Sequence, residues 1–201
     1  MYPIVLASSS PYRRTLLARL VGEFRVLAPQ VEEQVRAGEP PTAMAARLAE
    51  AKAREVATRA PGCLVIGADQ VAVLEDRILR KPGNAEVNRA QLLACAGRHV
   101  EFHTGLALIH ADSGRAQTGT VLYTVRFRAL GAAQIERYVA REQAFDCAGG
   151  FRCEGLGIAL FASMHGDDPT ALMGLPLIAL TDMLAAEGVD VLAWQAPPAG
   201  A

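Results

Sequence analysis

Apolar positions along this chain come in two alternating patterns, short continuous or every-second-residue runs and longer stretches spaced by three and four. That alternation predicts an α/β protein. Residues 4–7 read as a short apolar strand. Leu16, Leu17, Leu20 and Val21 then recur at helical spacing over residues 11–21, with Gly22 where a C-terminal cap belongs. Residues 24–28 read as the next strand. Residues 42–59, rich in Ala, Arg and Glu, follow Pro40-Pro41 and predict a long amphipathic helix with Thr42 as its cap.

Residues 63–74 predict a strand, and Asn84 is placed to cap a helix that runs to Ala96 and is closed by Gly97. Two stretches, 99–110 and 116–128, alternate like paired strands on either side of Ala111-Asp112-Ser113-Gly114-Arg115 and predict a hairpin. Helices near 132–142 and 169–186 and a strand near 158–163 complete the pattern. No repeat or linker divides the chain. Residues 1–194 are therefore expected to form a single domain, with 195–201 as a flexible tail.

Composition narrows the class. The 201 residues are 51% apolar and 20% charged, with 18 Gly and 11 Pro, which excludes collagen, low-complexity disorder and a coiled coil. A domain of this length buries roughly 70% of the surface its unfolded chain exposes, so no disulfide or metal staple is needed. Twenty Lys plus Arg against 21 Asp plus Glu leave a net charge of −1, which removes the bulk attraction of a duplex-binding protein. Any anion site must be local. The apolar runs at 63–68 and 172–180 fall short of the ~18 to 20 residues of a membrane span. The N-terminus has no basic leader, so a cytoplasmic protein without membrane or nucleic-acid partners is expected. Cys63, Cys95, Cys147 and Cys153 have no CxxC spacing and read as reduced thiols. His99 and His103 sit in a strand-like run, which argues against a zinc pair.

Candidate chemistry begins at Leu6-Ala7-Ser8-Ser9-Ser10-Pro11-Tyr12-Arg13-Arg14, where a strand meets a helix with Ser10 as cap and Pro11 in the first turn. Free N–H groups and serine hydroxyls converge there as an anion site. Arg13 and Arg14 oppose the helix dipole at a cost of about 0.3 to 1 kcal/mol each unless an anion offsets them. In Leu64-Val65-Ile66-Gly67-Ala68-Asp69-Gln70-Val71 an apolar strand carries one carboxylate, and Asp69 must find a cation, a metal or a wet cleft. Strict alternation puts Asp69 and Gln70 on opposite faces, so both line one pocket only if a bulge or bend intervenes, which Gly67 would permit. Glu32, Glu33, Lys52 and Lys81 are further charges at element edges. The segment 149–157, Gly-Gly-Phe-Arg-Cys-Glu-Gly-Leu-Gly, would let backbone approach a ligand with Glu154 at its centre, but it is neither a GxGxxG fingerprint nor a Walker loop.

Taken in order, LASSSPYRRTLL, VEE at 31–33, AEAKA around Lys52, GADQV around Asp69, KP at 81–82 and GLPL at 174–177 resemble the Maf family of nucleotide pyrophosphatases, over residues 4–188. The resemblance implies an α/β fold related to inosine-triphosphate pyrophosphatases, an extended mixed sheet flanked by helices, with a cleft between two lobes. It implies hydrolysis of nucleoside triphosphates to monophosphate and diphosphate, with a divalent cation (Mg²⁺, Mn²⁺ or Co²⁺) as cofactor, and a homodimer. On this resemblance Ser8, Ser10, Arg13, Lys52 and Lys81 are phosphate-binding, Glu33 and Asp69 hold the metal, and Asp69 is the catalytic base.

Within the family, Tyr12, Gln70 and Glu154 follow the aromatic–Gln–Glu pattern of the branch acting on 7-methyl-GTP, rather than the Arg–Thr–Gln pattern of the branch acting on dTTP and UTP. The aromatic residue is usually Trp, so Tyr12 bears on affinity. Physical chemistry agrees with the assignment. Methylation at N7 makes guanine a cation, which an aromatic face attracts by ~0.5 to 2 kcal/mol, and Glu154 can accept both N1–H and the 2-amino group. The alternatives are the dTTP/UTP reaction and a non-catalytic nucleotide-binding regulator of cell division.

Overall fold

The computed structural model describes residues 2–193. Strands and helices alternate in the order β1 (Ile4–Ala7), α1 (Pro11–Leu17), β2 (Arg25–Leu27), α2 (Pro41–Ala57), β3 (Leu64–Leu74), β4 (Arg77–Leu79), α3 (Ala85–Cys95), β5 (His99–His110), β6 (Ala116–Phe127), α4 (Ala132–Glu142), β7 (Phe161–His165), α5 (Pro169–Leu172) and α6 (Leu177–Ala186). Seven strands make one sheet in the order β2-β1-β3-β5-β6-β7, with β4 paired to β3. β1 runs parallel to β2 and β3, and every other pairing is antiparallel. The mixed α/β architecture is the one the sequence pattern predicts.

Side-chain alternation along the strands assigns the two faces. Val5, Ala7, Val65, Ala107 and Ile109 pack with Ala49, Ala53 and Val56 of α2. Ile4, Leu6, Leu64, Ile66, Leu106 and Leu108 face Leu16 and Leu17 of α1 and Leu177, Leu180 and Leu184 of α6. Further along the same sheet, Phe102, Val125 and Phe127 pack with Leu92, Ile135, Tyr138 and Phe151.

Helix α2 lies unusually close to the sheet. A Cβ at Gly67 would stand 2.2 Å from the Ala49 carbonyl oxygen, and one at Gly105 would stand 2.1 Å from the Ala45 carbonyl oxygen. Two glycines below and a stripe of alanines above let helix backbone rest on strand backbone. The bulge expected at Gly67 is absent, for β3 pairs with β5 without a register shift from Leu64 to Val73.

Several boundaries differ from expectation. Helix α1 stops at Leu17 rather than running to residue 21, because i→i+3 bonds from Arg19 and Leu20 tighten its end, and Gly22 caps nothing. Residues 24–28 pair only over Arg25–Leu27. Thr42 lies inside α2 rather than capping it: Pro40 and Pro41 fix the helix start, and Thr42 Oγ1 is 3.1 Å from His103 Nδ1. The helix expected over 169–186 is broken by Gly174, at φ +99°, and Pro176; Asp168 caps both pieces, accepting from the Thr170 and Ile178 N–H groups at 2.9 and 2.8 Å. The strand expected at 158–163 begins at Phe161, after a 3₁₀ turn over Leu156–Leu160. β4 has no turn signal in the sequence, since Glu75 takes the positive φ of +55° that Gly or Asn usually supplies. The expected tail 195–201 lies outside the described residues. Asn84 caps α3 as expected, accepting from the Val87 N–H. His103 Nε2 meets Glu101 at 3.1 Å, which accounts for both ring nitrogens without a metal.

Candidate active site

A cleft of about 390 Å³ opens where β1 ends, within the size range of small-molecule sites. β1 leaves β3 after Ala7↔Gly67, and β4 joins the same edge only at Ala72, so the β3 edge from Ala68 to Val71 carries no partner strand. Through that gap Asp69 and Gln70 both reach the cleft although they point to opposite faces. An open edge, not a bulge, brings them together.

Asp69 and Lys52 meet on the α2 face. Lys52 Nζ donates to Asp69 Oδ1 and to Glu33 Oε1, each at 2.5 Å, and Lys52 and Asp69 are buried while Glu33 is largely exposed. Burial raises the Asp69 pKa, Lys52 and Arg13 pull it down, and Glu33 adds to the rise; the net direction is upward from the ordinary value. For Glu33, burial raises the pKa but the hydrogen bond and charge of Lys52, with Lys81 and Arg13, outweigh it and leave it lowered. Arg13 donates through Nε to the Gly174 carbonyl at 2.8 Å, and burial lowers its pKa against the opposing pull of Asp69 and Glu33. Lys81 lines the cleft from the segment after β4. Three cations thus surround two carboxylates, leaving a local excess of positive charge for an anion.

The serines serve the backbone first. Ser8 Oγ accepts from the Ser10 N–H at 3.1 Å, and Ser10 Oγ caps α1 by accepting from the Arg13 N–H at 3.4 Å. Both line the cleft, as does Ser9. Arg14 is exposed and does not line it, and Glu32 bonds Gln34 outside it.

Tyr12, Gln70 and Glu154 all border the cleft. Burial, with the neighbouring Cys147 and Asp146, pushes the Tyr12 phenol up to about 12. Gln70 Nε2 is committed to the scaffold, donating to Thr104 Oγ1 and to the Ala171 and Leu172 carbonyls at 2.9–3.1 Å. Glu154 is exposed, accepts from the Cys153 thiol at 3.3 Å, and among the described residues has no cationic partner. Sequence reasoning missed Asp146, Cys147, Phe102 and Phe151, which share this wall. For Asp146, Cys147 and Phe151 the one signal was nearness to the Gly149-Gly150 pair, both at positive φ; Phe102, on β5, had none.

Among the described residues no group of three or more His, Cys, Asp or Glu side chains is arranged for a metal. Glu33 and Asp69 nevertheless fit the way a magnesium-like cation is held beside substrate, by one or two carboxylates with phosphate oxygens and water completing its shell. No helix among the described residues is long and apolar enough to cross a membrane. All four cysteines are free.

Sheet and cleft together define an α/β protein with a small-molecule-sized cleft in which Arg13, Lys52 and Lys81 gather around a buried carboxylate. The chain belongs to the Maf family: the family model described as Maf-like protein matches residues 3–187. Curated relatives named 7-methyl-GTP pyrophosphatase include one from Pseudomonas fluorescens, 52% identical over 94% of this chain and 99% of its own length. Another, from Methylobacillus flagellatus, is 52% identical over 96% of this chain and all of its own. A solved structure titled as a HAM1 protein from Coxiella burnetii aligns over 92% of this chain with a TM-score of 0.49 and 16% identity, too slight a likeness to add to the fold described above.

Proposed function

We propose that this protein hydrolyses 7-methyl-GTP to 7-methyl-GMP and diphosphate, a house-cleaning activity against modified nucleotides. The names of relatives about half identical over nearly the whole chain support it. The observation that carries it is the make-up of one cleft: Tyr12 and Glu154 to receive a base, and Arg13, Lys52 and Lys81 around Asp69 to receive a triphosphate. A methylated, cationic guanine stacks on the Tyr12 face and donates two hydrogen bonds to Glu154, whereas thymine or uracil offers one donor flanked by acceptors.

Asp69 accepts the proton of a water attacking the α-phosphorus. Its raised pKa makes it a better base than an ordinary aspartate, and the charge of Lys52 on Oδ1 opposes that rise by favouring the ionised form. Among the described residues Asp69 Oδ2 has no hydrogen-bond partner, which leaves it for that water. Arg13, Lys52 and Lys81 neutralise the departing diphosphate. Glu33 and Asp69 would hold a divalent cation (Mg²⁺, Mn²⁺ or Co²⁺), which would supply further charge neutralisation to the triphosphate. We place the activity in the cytoplasm, in keeping with four unpaired thiols.

Product analysis tests the reaction. Incubation of 7-methyl-GTP with the protein and Mg²⁺ or Mn²⁺ is expected to give 7-methyl-GMP and diphosphate in equal amounts. Formation of 7-methyl-GDP and inorganic phosphate would contradict attack at the α-phosphorus.

A further inference from the structure

The cleft carries a second carboxylate beside its aromatic ring, and the chain itself supplies that carboxylate's partner. Arg152 places its guanidinium carbon 5.9 Å from the centroid of the Tyr12 ring. It donates through Nη2 to Asp146 Oδ1 at 3.1 Å and through Nη1 to the Glu142 carbonyl at 3.3 Å, while its Nε is buried without a partner. Tyr12 and Asp146 both border the cleft, and Cys147 between them reaches the Tyr12 hydroxyl at 3.9 Å and Asp146 Oδ1 at 3.5 Å. Asp146 remains largely exposed, so its charge is open to whatever enters.

An aromatic face next to a carboxylate suits a flat, delocalised cation. A guanidinium is such a cation, and so is a purine alkylated at N7. We propose that Tyr12 and Asp146 form a planar-cation subsite, against which Arg152 packs from outside the cleft in the free protein, and that Asp146 makes the enzyme select the positive charge of the base rather than the methyl group. The substrate class is then nucleoside triphosphates with cationic bases. This inference rests on the reading above in which Tyr12 faces the base. Asp146 attracts the charged base and Arg152 opposes it, so the two residues shift selectivity in opposite directions.

The probe is a matched pair: 7-methyl-GTP, and 7-deaza-7-methyl-GTP, in which carbon replaces N7, so the methyl group stays and the charge is lost. The readout is the ratio of kcat/KM for the two in wild type, Asp146→Asn and Arg152→Gln. Misfolding of a variant lowers both values alike and cancels in the ratio. Wild type is expected to prefer the charged nucleotide by roughly tenfold. Asp146→Asn is expected to cut that preference by about threefold or more, because an exposed charge is partly screened, with the loss falling on KM more than on kcat. Arg152→Gln is expected to raise it. An unchanged ratio in Asp146→Asn, or a lower one in Arg152→Gln, would overturn the proposal. Equal use of both nucleotides by wild type overturns it while leaving 7-methyl-GTP hydrolysis standing, and use of neither removes that reading and the subsite with it.

Discussion

Lys52 Nζ reaches Asp69 Oδ1 at 2.5 Å because the helix that carries the lysine rests directly on the strand that carries the carboxylate. Gly67, two residues before Asp69, leaves the space that the backbone of Ala49 and the side chain of Ala53 occupy. The geometry of this ion pair therefore depends on a position with no functional group.

Gly67→Ala forces a methyl group to within 2.2 Å of the Ala49 carbonyl oxygen. We expect a loss of about 1 to 3 kcal/mol in urea unfolding, the usual range for overpacking. Gly119→Ala is the control, since its Cβ would meet only the Met183 Cε at an ordinary 3.6 Å, and a change of about 0.5 kcal/mol or less is expected. Equal stability of the two variants would contradict the close packing of α2.

Asp69 titrates above its usual range because burial outweighs the pull of Lys52 and Arg13, with Glu33 adding to the rise. Removing a nearby positive charge makes the ionised carboxylate less favourable, so Lys52→Met moves the Asp69 pKa further up. Removing a nearby negative charge does the reverse, so Glu33→Gln moves it down. Carbon-13 NMR of the Asp69 carboxyl in the free protein reads both shifts. An Asp69 that does not move in Lys52→Met would contradict the ion pair.

Tyr12→Ala should raise KM for 7-methyl-GTP by about 2- to 30-fold, the equivalent of ~0.5 to 2 kcal/mol of cation–π attraction. Tyr12→Trp should lower it, because indole is the stronger π-face. GTP, whose base is neutral, should respond less to either change, and steady-state kinetics on the two nucleotides separate the cases.

Asp168 is buried and accepts from the Thr170 N–H and hydroxyl and from the Ile178 N–H. Asp168→Ala should cost about 2 kcal/mol of stability, as loss of a buried cap does. It should also raise KM, because the turn it braces presents the Gly174 carbonyl that holds Arg13. Denaturation with nucleotide kinetics measures both, and an unaltered KM would detach that turn from the site.

Chelation with EDTA is expected to abolish diphosphate release, and excess Mg²⁺ or Mn²⁺ to restore it. Undiminished release after chelation would remove the divalent cation from the reaction and leave Glu33 and Asp69 as partners of Lys52 alone.

Much of the fold is legible in the sequence because its signals are local. Asn84 announces the start of α3, and the alternation over 99–110 and 116–128 announces the β5–β6 hairpin. What escapes the sequence is tertiary. Glu75 adopts positive φ without being Gly or Asn, so β4 has no visible turn. Gly67 resembles a bulge residue and is a packing residue, since only the structure shows α2 passing over it. The cleft residues Ser8, Ser10, Tyr12, Arg13, Glu33, Lys52, Asp69, Gln70, Lys81 and Glu154 are all found from motifs and do converge on one pocket. Asp146 stays hidden because an exposed acid in a loop looks solvated until Arg152 and Tyr12 are seen beside it.

Diphosphate release from 7-methyl-GTP, GTP, dTTP and UTP, measured under one set of conditions with wild type and Asp69→Ala, tests the proposed function most directly. The expected result is that 7-methyl-GTP is used best, and that Asp69→Ala loses about 10² to 10⁴ in rate, the range for removing a general base. A preference for dTTP or UTP would contradict base recognition by Tyr12 and Glu154. Release from no nucleotide at all would contradict the enzyme itself and favour a nucleotide-binding regulator.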